Sequence, residues 1–431
     1  MANHYLFEAL THFDVAEAQR VFGDEVDLRP PDPAIELAPV KRVALFAEAF
    51  LPKVDGVSKT AYLTLHYLKQ TGRDVIVFAP DIAPHSIGDT QVIPLPSLGL
   101  PQAPETRIAI PHPTINQYLD DFKPDLIHLF SPALMSVSGM TAGRQRQIPV
   151  IANYQTDLPG YTNAYGLPIF TQITRDWLRY IHNGCHLTLA PSRWTLNELQ
   201  QWGFRRLRRW GRGVHSGRFN PAHRSDEWRA RLLNGRPQDS LLCIYVGRLA
   251  TEKRVDLLLE TARTPGIALT IIGDGAMRSE LEGLFAGTGT HFTGYLYGDE
   301  LAHAFASADV FMFTGGHETF GQVVQEAMAS GLAPISINQG GVTDLVHDGV
   351  NGFICPPDPH AFAQAARTLL ENEALRRAMS AESRRMAEAR PWEVLMGELE
   401  GHYREAHTMN ARFKSRYRQP SNRPIWFGWG R

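Results

Sequence analysis

The amino-acid sequence predicts an α/β protein built as two doubly wound, Rossmann-like domains facing each other across a cleft. Three observations carry that prediction. Short β-rich apolar runs alternate with helical stretches, the runs fall into two series, and 431 residues exceed what one compact core holds. Near-continuous apolar strands between helices indicate parallel sheets covered on both faces.

In chain order, residues 1–40 are acidic and end in "RPPDPAIELAP", an extended arm. The first domain, 41–205, holds the runs "RVALFAE" (42–48), "DVIVFAP" (74–80), "DLIHLFS" (125–131), "PVIANYQT" (149–156) and "LTLAPS" (187–192). The Gly- and Arg-rich stretch 203–221 shows neither helix nor strand period and reads as the linker. The second domain, 206–390, holds "LLCIYVG" (241–247), "ALTIIG" (268–273), "HFTGYL" (291–296), "ADVFMF" (308–313) and "LAPISI" (332–337). A final unit, 391–431, begins with a helical stretch from Trp392 to about His407. It ends in a tail placing Arg412, Lys414, Arg416, Arg418, Arg423 and Arg431 beside Phe413, Tyr417, Trp426, Phe427 and Trp429.

Bulk properties exclude several classes. A net charge of -2 gives no global field for nucleic acid, so any anion site is local. Cys185, Cys243 and Cys355 are widely spaced beside apolar runs, which suits buried thiols in a reducing compartment rather than a disulfide framework. The N-terminus lacks a basic head and an apolar h-region, and no run of about 18 apolar residues exists. A cytoplasmic protein is expected.

Ligands of open α/β sheets sit beyond the carboxyl ends of the strands, so the turns after strands are where chemistry is expected. After "ADVFMF" comes "TGGHETFGQVVQEAMASG", with Gln322–Ser330 read as a helix burying Val323, Val324, Ala327 and Met328. Gly321 at its start lets backbone approach a ligand, and the free amides of the first turn make an anion site. Glu318 in the loop and Glu326 in the helix can each accept two hydroxyls of a vicinal diol. That pattern fits a nucleoside diphosphate sugar better than a solvated surface helix. Arg248 and Lys253 follow "LLCIYVG", where two cations neutralise a diphosphate leaving group. The chain contains no Asp-x-Asp, so no carboxylate clamp for a metal is evident and metal-independent chemistry is expected. His182, Cys185 and His186 have helical ligand spacing, but Gly184 and the lack of a fourth ligand favour a structural role over zinc. In the first domain, Gly56 permits close approach at a strand-to-helix turn, and Tyr154, Gln155, Thr156 and Asp157 stand at a strand's carboxyl end. Plain loop hydrogen bonding explains the latter four equally well. His128 is read as packing in place, and Gly273 opens a Gly-rich turn on the same sheet face.

Glu318-x7-Glu326 within "HETFGQVVQEAMASG", with "VGRLATEKRVD" upstream, closely resembles the retaining GT-B glycosyltransferases of family 4, from about residue 41 to 400. The resemblance implies that Arg248 and Lys253 grip the donor diphosphate, Glu318 the transferred sugar and Glu326 the nucleotide ribose. Backbone amides after Phe320, at Gly321, Gln322 and Val323, would meet sugar and phosphate, Gly273 would line the donor site, and Gly56 would close from the other domain. "FLPKVDGVS", "YQTDLPGYTNAYG", "LAPS" and "RRWGRGVHSGRFNP" together look like the GDP-mannose-dependent α-mannosyltransferase branch that modifies glycolipids. Gln155 stands where many members carry His, which argues against a histidine base; His215 stands where Asp is usual.

The implied reaction is hexosyl transfer with retained anomeric configuration, without a cofactor and without an evident protein nucleophile. Asp157 is the nearest candidate for one. Alternatives are a UDP-glucose-type donor with a soluble sugar or metabolite acceptor, and a sugar-nucleotide-binding protein without catalysis. An oxidoreductase is disfavoured because no G-x-G-x-x-G follows the first strand of either domain. The basic and aromatic tail suits an anionic membrane surface at the inner face, although packing back onto the first domain is the preferred reading.

Overall fold

A computed structural model describes residues 15–22, 26–53, 55–100, 103–160 and 168–418. The strands in chain order are β1 (Arg42–Ala47), β2 (Asp74–Pro80), β3 (Ser86–Ile87), β4 (Thr90–Leu95), β5 (Ser97–Leu100), β6 (Ala103–Ala109), β7 (Leu126–Phe130), β8 (Val150–Asn153), β9 (Leu187–Ala190) and β10 (Leu207–Arg209). The second half adds β11 (Leu241–Val246), β12 (Ile267–Ile272), β13 (His291–Gly294), β14 (Val310–Phe313), β15 (Ala333–Ile337) and β16 (Phe353–Cys355).

One sheet runs β10-β9-β8-β7-β1-β2-β4-β3 and the other β13-β12-β11-β14-β15-β16; β5 and β6 form a separate hairpin. Apart from the β3–β4 pair at one edge, the pairings in both large sheets are parallel. Side-chain alternation explains the layers. Val43 and Leu45 of β1 enter one core with Tyr67 and Leu68, whereas Ala44 and Phe46 enter the opposite one with Phe78 and Met140. Order reverses at β1/β7 in the first sheet and β11/β14 in the second, the positions where such sheets hold ligands.

The helix Trp392–Arg418 leaves the second domain and covers the first, burying Leu395, Met396, Leu399 and Tyr403 against the Val43–Leu45 face. A buried ion pair fixes its register. Glu400 accepts from Arg73 at 2.8 Å, from Tyr67 Oη at 2.6 Å and from the Ala38 amide at 2.7 Å. Further along, Asn410 donates to the Gln147 carbonyl at 2.7 Å and the Phe413 ring meets His186. Residues 419–431 of the tail, with Arg423, Trp426, Phe427, Trp429 and Arg431, lie outside the described residues. So do the side chains of Arg416, Tyr417 and Arg418.

One local expectation changes, and two further elements appear. Within the 203–221 linker, Leu207–Arg209 forms β10 on β9; at this edge Arg208 and Arg209 point to solvent, which masks the strand in the apolar pattern. Strand β4 carries Pro94, tolerated because β3 pairs only with Thr90 and Gln91 and leaves that edge open. After β11 the chain forms 3-10 turns at Thr251–Lys253 and Val255–Leu258 before a short helix, Leu259–Arg263.

Candidate active site

Two loops of the second domain meet at the carboxyl ends of β11 and β14. Thr314 Oγ1 donates to the Lys253 carbonyl at 2.6 Å, tying the loops together. The Lys253 ammonium then pairs with the Glu318 carboxylate. Burial pushes the Glu318 carboxyl up, but Lys253, Arg248 and Arg212 outweigh it and hold it below its ordinary value. Arg248 is oriented by a 2.7 Å bond to the buried Glu252. Gly321 has φ 93°, open to glycine at little cost, and turns the chain sharply into the helix Gln322–Ala329. Buried Phe320, Val324, Ala327 and Met328 hold that helix, while the amides of Gln322 and Val323 lie in its first turn, where no intrahelical acceptor exists. Gln322 Nε2 donates to the Gly213 carbonyl at 3.0 Å. At Gly273, φ is 142° and a Cβ would lie 1.9 Å from the Gly247 carbonyl oxygen, so only glycine lets the ends of β11 and β12 abut.

The first domain closes on this from the other side. Asp55 caps the helix Gly56–Gln70 by accepting from the Val57 and Ser58 amides at 2.9 and 2.8 Å. A Cβ at Gly56 would meet nothing within 4 Å, so the first turn faces open space. One turn on, Lys59 Nζ lies 3.0 Å from Glu326 Oε1 across the cleft. Buried Arg212, in the connecting segment, donates to Thr60 Oγ1 at 2.5 Å. Burial lowers its guanidinium to about 10, against the opposing charges of Asp55 and Glu318. Thr319 Oγ1 donates to the Gln155 carbonyl at 2.8 Å, and Thr195 Oγ1 donates to the Thr319 carbonyl at 3.1 Å. The Gln155 side chain is buried, and both its polar atoms lack a partner among the described residues. Asp157 Oδ2 lies 3.8 Å from His317 Nδ1 and raises that imidazole above its ordinary value.

The sequence-predicted residues therefore converge, with Arg248, Lys253 and Glu318 on one wall, Glu326 one helical turn deeper, and Gly56, Gln155 and Asp157 opposite. The readings missed Lys59, Arg212 and Thr319. Lys59 lies one position beyond the "FLPKVDGVS" turn, and its partner is 267 positions away. Arg212 was hidden in the linker. The decoys resolve separately: His182 bonds Thr188, Cys185 bonds the Ile181 carbonyl, and His186 accepts from the Val150 amide. His128 is fully buried between Asn153 and Tyr403, and burial lowers it to about 4.

The comparisons decide what this cleft belongs to. Residues 54–218 match the Glycosyltransferase Family 4 model and 226–386 the Glycosyl transferases group 1 model. A GDP-mannose-dependent alpha-mannosyltransferase of Mycobacterium tuberculosis is 40% identical over 84% of this chain and 96% of its own. The chain belongs to glycosyltransferase family 4. A second relative of the same description, from Corynebacterium glutamicum, is 34% identical over 91% of this chain and 96% of its own. Sucrose-phosphate synthase from Thermosynechococcus elongatus superposes with a TM-score of 0.68 at 21% identity, over 88% of this chain and 99% of that one, which shows the GT-B fold. This family 4 chain is a hexosyltransferase. No helix among its described residues is long and apolar enough to cross a membrane.

Proposed function

We propose that this enzyme transfers mannose from GDP-mannose, with retention, to a hydroxyl of a glycolipid or lipid-linked glycan at the inner membrane face. The observation that carries the reading is the paired arrangement around the Gly321 helix start. Glu318, paired with Lys253, precedes that start in the chain and Glu326, paired with Lys59, follows it, one acid for each sugar ring of a nucleoside diphosphate sugar. The description shared by the mycobacterial and corynebacterial relatives supports mannose and GDP.

In this reading Lys253 moves from Glu318 to the donor phosphate on binding. Glu318 is then released to accept hydroxyls of the transferred sugar, and Glu326 takes the ribose diol. The bond from the anomeric carbon to the phosphate oxygen breaks, and the acceptor oxygen bonds on the same face. Its proton passes to the departing phosphate oxygen. Arg248, Lys253 and the helix start stabilise the charge that develops there. Gln155, buried with two open hydrogen-bonding atoms, and Asp157 face the sugar and the acceptor. The two cations and the helix amides supply the positive charge, so turnover is expected to be metal-independent.

A thermal-shift panel of GDP-mannose, GDP, UDP-glucose and UDP, with and without chelator, tests the reading. Stabilisation by the guanosine compounds, about 2.7 kcal/mol at a hundredfold excess over Kd, supports it. A response to the uridine compounds alone discards the donor, and loss of the response on chelation discards metal independence.

A further inference from the structure

A buried ionisable group is tolerated when it is neutral or paired. Burial pushes the Glu48 carboxyl up to about 7, and its Oε1 accepts from the amides of Ala133 and Ser136, each at 3.0 Å. Burial lowers His128 to about 4 and His182 to about 3, so both imidazoles are uncharged at neutral pH. Arg73 keeps its charge beside Glu400. Arg212 does neither. It is 4% exposed, and although burial lowers its guanidinium to about 10, the group stays charged at neutral pH. Among the described residues no carboxylate lies within ion-pair distance of it, and its hydrogen bond goes to the neutral hydroxyl of Thr60. A charge taken out of water without a counter-ion costs free energy, so this one points to an anion that joins it.

The surroundings of Arg212 define that anion. Residues 211–213 pass the start of the helix Gln322–Ala329: a Cβ on Gly211 would lie 3.4 Å from the Phe320 ring, and the Gly213 carbonyl accepts from Gln322 Nε2 at 3.0 Å. From this segment the guanidinium reaches the first domain, where Thr60 Oγ1 accepts from it and donates to the Gly56 carbonyl at 2.7 Å. Arg212 therefore lies between the first turns of two helices from opposite domains. The charges of Asp55 and Glu318 act on it from those two sides without pairing with it. Glu318 is also the acid beside Lys253 and Arg248. Three cations and the positive end of the Gln322–Ala329 helix thus share one small region, which suits an anion of more than one charge. A guanidinium's planar fork matches two phosphate oxygens.

We propose that Arg212 is a third phosphate-binding cation, whose guanidinium contacts the diphosphate of the nucleotide sugar from the segment that joins the two domains. When the bond from the anomeric carbon to the phosphate oxygen breaks, its electron pair stays on that oxygen, and Arg212 counters the charge together with Arg248 and Lys253. The latter two belong to the second domain, whereas Arg212 is tied through Thr60 to the first, so its contact makes diphosphate binding depend on how the domains close. The proposal rests on the glycosyl-transfer reading of the cleft.

Calorimetric titration of the full chain with GDP, guanosine, UDP and uridine, in the wild type, Arg212→Gln and Arg212→Lys, tests it. Arg212→Gln is expected to weaken GDP roughly tenfold or more while leaving guanosine within about twofold, because only the phosphates lose a partner. Arg212→Lys keeps the charge without the fork and is expected to fall between the two; it also keeps the test readable should the glutamine variant not fold. Without ligand, the melting midpoint of Arg212→Gln is expected to equal or exceed that of the wild type, since an unpaired buried charge has been removed. A wild-type ratio of GDP to guanosine affinity in Arg212→Gln overturns the proposal. So does equal weakening of both ligands with a lowered midpoint, the result a purely structural arginine gives. A wild-type response to UDP and not GDP overturns the donor reading, and the ratio of UDP to uridine affinity then decides the role of Arg212 in the same way.

Discussion

Lys59 Nζ approaches Glu326 Oε1 at 3.0 Å, and the helices that carry them belong to opposite domains. Both side chains are mostly buried, and Lys59 also lies over the Phe219 ring. The pair links domain closure to the acid assigned to the ribose. Lys59→Ala should leave Glu326 unpaired and favour an opened cleft rather than global unfolding. A larger radius of gyration in small-angle scattering of the donor-free enzyme is expected. An unchanged radius would show that the pair does not hold the domains together.

The two glutamates should separate kinetically. Glu318→Ala should lower kcat on the order of a hundredfold, because the proposed reaction has it act on the sugar in the transition state. Glu326→Ala should weaken GDP binding by roughly ten- to a hundredfold, with a smaller effect on kcat, because hydrogen bonds to a charged group contribute about 1.5–3 kcal/mol. Steady-state kinetics and GDP titration check both, and wild-type values in both variants would sink the assignment.

The buried Arg73–Glu400 pair predicts a large stability effect far from the cleft. Glu400→Ala leaves the Arg73 guanidinium and Tyr67 hydroxyl without their acceptor, and should destabilise by about 3–5 kcal/mol. Urea denaturation measures it. A loss below about 1 kcal/mol would mean that apolar contacts alone hold the final helix.

Stability should also depend on pH through two buried histidines. Burial lowers His128 to about 4 and His182 to about 3, so the folded protein keeps them neutral while the unfolded chain takes protons below about 6.5. Their stabilising contribution is complete above about pH 6.5 and is lost as pH falls towards 4. Glu48 has the opposite sign: raised to about 7, it contributes fully below about pH 4.5 and loses that contribution as pH rises through 7. Urea midpoints between pH 7.5 and 4.5 should show the histidine-driven decline, shallower in His182→Gln. An unaltered slope in that variant would remove His182 from the account.

Periodicity and glycine placement, properties of the chain alone, determined the two parallel sheets, the turns that carry chemistry and the residue types at Glu318, Glu326, Arg248 and Lys253. Apolar strands buried on two faces leave an unbroken pattern, and a ligand-binding turn needs its glycine wherever the partner domain lies. Edge elements were illegible, since β10 shows arginines to solvent and β4 carries a proline that only its open edge permits. Tertiary structure alone decided that Lys59 meets Glu326, that Arg212 lies buried near Glu318, and that Glu400 rather than a surface acid anchors the final helix. Such ion pairs join residues hundreds of positions apart, and no local periodicity encodes which buried charge will neutralise another. Packing of the two domains makes that choice, because a charge taken out of water must find its partner within a few ångströms.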